Sequence, residues 1–311
     1  MSKRKSPQEE RATILSQPQK RPYGAKVHIR LQTSGPLGFV EEVCVPLQTG
    51  AFLAIAPARS APWEGGNKYL VTLEGFATAA AAEAAGRRLV QALLWMAIST
   101  DSPLRLEYLS YQPASVFERT ASGSSGILFE GCYAVAGRAP ELVLGELQEA
   151  YVLLPEPDET LLLSMEVFCS ARLEASQRAI FLAIVSALEP LAREAPLGDE
   201  VNRFVTDSIA RLNDSEAIPS QLRKSLEGRL LHLRRESVRQ ALKRLVRETL
   251  PHQPDAALIV DEAYALRSQL VHSGLPRDLD VDLDREAQIV SHTIRAIYAR
   301  LLNRSLALAP P

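Results

Sequence analysis

Two side chains near the end of one predicted helix, Arg267 and His272, are of the types that handle a phosphodiester. Arginine carries a permanent charge on a planar fork of donors that matches a phosphate, and histidine, with an unperturbed pKa of about 6.5, exchanges protons near neutrality. Together they could cleave RNA without a metal. The imidazole would move protons between the ribose 2′-hydroxyl, the leaving oxygen and solvent, while the guanidinium stabilises charge growing on the phosphate. On an ideal helix an offset of five residues turns two side chains about 140° apart, so spacing alone does not put the pair on one face. The plainer alternative is that His272 closes the last helical turn, where the dipole favours a cation, and that Arg267 pairs with a carboxylate.

Context separates this pair from its copies. An arginine followed by four to six residues and a histidine also occurs at Arg21/His28, Arg247/His252 and Arg285/His292, so four of the five histidines fit the bare spacing. Arg21 lies in a polar tail, His252 follows Pro251 in a turn, and His292, although on a predicted helix, has no Tyr, Ser and Gly in the arrangement that surrounds Arg267 and His272. Residues 255–273 read as a helix, with Ala256, Ile259, Val260, Ala263, Leu266, Leu270 and Val271 at helical spacing and Gly274 and Pro276 as the stop.

The string Tyr264-x-x-Arg267-Ser268-x-x-Val271-His272-x-Gly274 closely resembles the motif of the ApeA-like branch of HEPN domains, small helical bundles that often cut RNA. More loosely, the resemblance covers residues 155–305. It implies a homodimer packed through the C-terminal bundle, with both Arg/His pairs lining one cleft. Arg267 and His272 would be catalytic, with Tyr264, Ser268 and an acidic residue of an early bundle helix, Glu189 or Glu166, in support. The chain departs from many catalytic members at Ser268, where they carry Asn, Asp or His. The implied activity is that of a metal-independent endoribonuclease in antiphage defence, toxicity or stress response. The alternative is a non-catalytic HEPN module that binds RNA or protein, or only dimerises.

Composition bounds these readings. With 311 residues, 46% hydrophobic and 23% charged, the chain is long enough for two domains with their own cores. A net charge of −2 excludes strong whole-molecule attraction to nucleic acid, so RNA would need a local basic patch. Cys44, Cys132 and Cys169 are far apart, with no Cys-x-x-Cys and no histidine at ligand spacing, which points to free thiols and to no metal. The basic start lacks an apolar segment and no apolar run approaches membrane-spanning length, so neither a leader nor a membrane partner is expected. A cytoplasmic protein follows.

The expected fold class is α+β: a disordered basic tail over residues 1–21, a small α/β or α+β domain of unassigned role over 22–152, and an all-α HEPN-like bundle over 153–311. Residues 26–32, 39–47, 51–56 and 68–73 read as strands, followed by an alanine-rich helix capped by Thr78 and running to about Ile98. Further strands are expected at 104–109 and 127–135. Beyond the helix-breaking Pro155-Glu-Pro-Asp158, helices are expected near 158–172, 175–193, 199–213, 219–248, 255–273 and 283–303. The 219–248 segment carries the strongest basic concentration, from Arg223 to Arg247. Its Arg234, Arg235, Arg239 and Lys243 are the candidate RNA-phosphate contacts, against the commoner reading of a solvated helix face.

Other constellations fail. Gly123-Ser124 lacks the following Asp-x-Asp of a nucleotidyltransferase, and no Walker loop, dinucleotide fingerprint or Gly-x-Ser-x-Gly is present, so no cofactor and no nucleotide is expected. Asp280, Asp282 and Asp284 alternate as in a calcium loop, but Arg285 and Ser291 stand where glycine and glutamate belong. Capping of the next helix is the better account. Trp63, Tyr69 and Trp95 read as core or rim residues of the first half.

Overall fold

The computed structural model describes residues 21–31, 43–47, 50–57, 68–106, 114–118, 140–278 and 280–308. Residues 1–20 of the tail, the 127–135 strand, Gly123-Ser124, Trp63 and Cys132 lie outside the described residues, as do 39–42 and 107–109 of the expected strands.

The first half forms strands β1 (Tyr23–Leu31), β2 (Val43–Pro46), β3 (Phe52–Pro57) and β4 (Lys68–Phe76), then helix α1 (Ala79–Ser99) and short strands β5 (Leu104–Leu106) and β6 (Ser115–Glu118). All pairings are antiparallel in the order β2-β3-β4-β1-β5, with β6 beside the first part of β1. Period-two alternation sends Ala25, Val27, Ile29 and Leu31 of β1, with Val71 and Leu73 of β4, to one buried face. Helix α1 covers that face, and the Thr78 hydroxyl accepts from the Ala81 amide at 3.2 Å to start it. The approach is close: a Cβ on Gly86 would sit 2.5 Å from the Ala114 Cβ and 3.0 Å from the Ala25 Cβ. Tyr69 and Trp95 are both buried.

Helix α2 (Pro140–Leu153) was not expected from the sequence, although Val143, Leu147, Ala150, Tyr151 and Leu154 are buried at helical spacing. It packs on α1, where the Trp95 indole donates to Glu146 Oε1 at 2.7 Å. Arg88 of α1 donates to the carbonyls of Tyr151, Val152 and Leu154 and so satisfies the open end of α2.

The second half is helical: α3 (Glu159–Ala171), α4 (Gln177–Ser186), a 3₁₀ turn (Glu189–Leu191), α5 (Asp199–Asn213), α6 (Ser220–His232), α7 (Val238–Thr249), α8 (Ala256–Ser273) and α9 (Leu283–Leu301). Asp158 and Ser176 cap α3 and α4. Asp282, from the alternating aspartates, accepts from the Asp284 and Arg285 amides and caps α9.

Two helix expectations are corrected: residues 175–193 hold α4 and then a separate 3₁₀ turn, and residues 219–248 are two helices. At the break the Leu197 amide donates to Arg234 O at 2.9 Å and the Glu236 amide to Ala195 O at 2.8 Å, pairing the segment with an extended neighbour. Ser237 and Gln240 then form a reciprocal capping box that starts α7. The chain leaves helical geometry because backbone groups find partners outside the helix and a strong cap sits three residues before Gln240. Helices α5 and α6 pack on each other and bury few apolar side chains, Val205 and Leu212 on α5 and none on α6.

One hydrophobic cluster runs from the sheet through α1 and α2 into α3, α4, α7, α8 and α9. Arg295 of α9 is inside it at 2% exposure and donates to the carbonyls of Ile98, Ser99 and Leu308. The end of α1 thereby receives charged donors from the last helix, a favourable placement for a cation at a helix C-terminus.

Candidate functional site

Helix α8 carries both candidate residues. Its end is a left-handed Gly274 (φ 75°), a conformation without penalty only for glycine, and Ser273 Oγ donates to Gln269 O and Leu275 O. The helix end is therefore closed without His272. The His272 side chain is exposed and makes no hydrogen bond or ion pair to a described residue.

Arg267 points the other way, into the body. Its Nη2 lies 2.9 Å from Glu189 Oε1 and 3.5 Å from Ser186 Oγ, and its guanidinium carbon stands 5.6 Å from the Tyr264 ring centroid. Tyr264 Oη donates to the same Glu189 oxygen at 3.5 Å. Burial, and secondarily the Glu189 charge, push the Tyr264 phenol above its ordinary range, so it stays protonated and able to donate. Glu189 reaches this position because α4, which packs on α8, ends at Ser186 and the following 3₁₀ turn, with Pro190 inside it, extends the Glu189 carboxylate to α8. The structure thus brings Arg267, Tyr264 and Glu189 together and adds Ser186, which the sequence reading missed. Ser268 is half-buried, with no hydrogen bond to a described residue, and of the two acidic candidates it is Glu189 that meets Arg267.

What remains open on Arg267 matters chemically. Both polar contacts use Nη2; Nη1 makes none to a described residue, and Nε is buried without a partner. A guanidinium held by one amino group still offers donors to an anion.

The four candidate RNA contacts have internal partners. Arg239 forks onto Asp261 of α8 at 2.5 and 2.9 Å, and Lys243 stands 3.4 Å from the same carboxylate. The Arg239 bond, above all, holds Asp261 below the usual carboxylate range. Arg235 donates to Glu194 O, and Arg234 to Thr206 Oγ1 at 3.1 Å. On the same helix Arg244 forks onto Glu236 and reaches Glu248. Exposed cations with no ion pair or side-chain hydrogen bond to a described residue include Arg203, Arg211, Lys224, Arg229 and Arg247.

Among the described residues, no group of three His, Cys, Asp or Glu side chains could hold a metal ion, and no helix is long and apolar enough to cross a membrane. Cys169 is buried and its thiol pushed far up by desolvation, which leaves it unreactive. The fold is a mixed α+β one, with a small antiparallel sheet followed by packed helices. Compared with family models, curated proteins and solved structures, the chain matches none.

Proposed function

We propose that the chain is a HEPN-type, metal-independent endoribonuclease whose active site forms when two copies bring their α8 ends together. The observation that carries this reading is an exposed His272, without a partner among the described residues, about 7.5 Å along the helix from an arginine oriented by Glu189 and Tyr264. Within one copy the two side chains diverge, Arg267 towards the 3₁₀ turn and His272 towards solvent. A second copy supplies the missing proximity. Val271 and Leu275, 52% and 56% exposed beside His272, offer it apolar area.

In the proposed reaction one imidazole takes the proton of the ribose 2′-hydroxyl. The 2′-oxygen attacks phosphorus, the 5′-oxygen leaves with a proton from the second copy's imidazole, and the product is a 2′,3′-cyclic phosphate. Arg267 donates to the non-bridging oxygens, where charge increases.

A specific observation favours a second reading. The Glu189 carboxylate already neutralises Arg267, and Ser268 stands where many catalytic members carry Asn, Asp or His, as fits a non-catalytic HEPN module that dimerises and binds RNA or protein. Multi-angle light scattering and RNA-cleavage assays on the full chain, wild type and His272→Ala, separate the two. A dimer that cuts RNA only with His272 intact supports the nuclease; a dimer that cuts no RNA in either form supports the second reading; a monomer at micromolar concentration removes the composite site.

A further inference from the structure

Beside the 3₁₀ turn lies a cavity of about 520 Å³, within the range that holds small molecules. Its walls come from the 155–158 linker, the first turn of α3, the 3₁₀ turn, α7 and the end of α9. The floor is apolar: Leu161, Leu191, Leu245 and Leu302. The charged rim is nearly, but not fully, compensated. Arg193 bonds Asp158 at 2.5 Å, and Arg244 is shared by Glu236 and Glu248. Glu156 is exposed and has no partner among the described residues, which leaves the rim with more carboxylates than cations.

We infer that this cavity binds a small apolar molecule bearing one cationic group, and that the 3₁₀ turn relays its presence to Arg267. An apolar body removes the leucine floor from water, and an ammonium beside Glu156 meets the rim's unpaired charge. The relay is a matter of connection: Leu191 lines the cavity, and Glu189, two residues earlier in the same short turn, holds Arg267. A ligand that displaces Leu191 shifts the carboxylate that sets the guanidinium's position. Any effect on cleavage rests on the nuclease reading; binding and relay do not.

The test uses phenethylamine and its acidic counterpart 3-phenylpropionate as probes on the full chain, with affinity from saturation-transfer NMR titration. The amine is expected to bind the tighter of the two. Leu301→Trp, at the partly exposed mouth, should abolish amine binding, and Glu156→Gln should weaken it about threefold, the size of an exposed ion pair. Glu156 is exposed, so that variant keeps the test valid if the tryptophan disturbs folding. Tighter binding of the acid, or unchanged amine binding in both variants, overturns the site. The relay is read from the Arg267 Nε–H resonance, identified by its loss in Arg267→Lys. Amine binding should move it, and a resonance that stays fixed at saturation overturns the relay.

Discussion

Glu189 Oε1 lies 2.9 Å from Arg267 Nη2 and also accepts from Tyr264, so one carboxylate of a short 3₁₀ turn orients two side chains that share a face of α8. Its consequences can be measured apart from any activity. In a double-mutant cycle of Glu189→Gln and Arg267→Met, read by chemical denaturation, the coupling should be up to about 1 kcal/mol, the upper end for a partly exposed pair. Strict additivity would mean that the contact does not orient the arginine.

Catalysis should respond to Arg267 and His272 differently from stability. His272→Ala is expected to abolish RNA cleavage and leave the melting temperature nearly unchanged, because an exposed, unpartnered ring contributes little packing. Arg267→Lys should also lose most activity, since a point charge cannot keep Glu189 and fork onto a phosphate. A His272→Ala protein that unfolds would return the residue to a structural role.

Alkaline pH should weaken the fold through its buried phenols. Burial raises the Tyr264, Tyr151 and Tyr298 pKa values in the folded state, so the stability they contribute is complete below the unfolded value near 10 and is lost as pH rises beyond it. Melting temperature followed from pH 8 to 11 should fall, and Tyr264→Phe should reduce that fall. For Tyr264 itself, Glu189→Gln should lower the pKa in a 295 nm titration, because the carboxylate's charge is among the causes that raise it.

The basic residues should divide into two groups. Arg239→Gln removes the forked partner of Asp261 and should cost stability. Replacing the unpaired Lys224, Arg229 and Arg247 by Gln should leave melting unchanged and, if they touch RNA backbone, reduce the salt slope of binding by roughly 0.7 per lost contact. An unchanged slope in that triple variant would make this surface solvated charge only.

Arg295→Met should be among the most damaging single substitutions. It strands the carbonyls of Ile98, Ser99 and Leu308, which now receive charged donors inside the core. A loss of about 3 kcal/mol is expected, with faster proteolysis of the segment after Leu302. A melting curve equal to wild type would show that water replaces the guanidinium.

Much of the local architecture was legible from residue order because its signals are local. The helix of Asp199–Asn213 and the ends of α3, α8 and α9 were read to within a residue or two from apolar spacing and from caps such as Asp158, Asp282 and Gly274. The four long strand segments showed in their alternation. Helix α2 was passed over although its buried residues repeat correctly, since a segment with one glycine between a proline and a proline-rich linker offers no clear start. The break at 233–237 was invisible because it depends on backbone partners at Ala195 and Leu197, far away in the chain.

The sequence by itself determined the pairing of a permanent cation with a titratable base on one helix, and the end of that helix at Gly274. Only the tertiary structure decided which way each points and what each meets. Residue order holds no distance between Glu189 and Arg267, nor between Arg239 and Asp261. Those ion pairs exist because packing brings α4, with the turn that follows it, and α7 to α8, and a charge half removed from water is stable only beside its opposite.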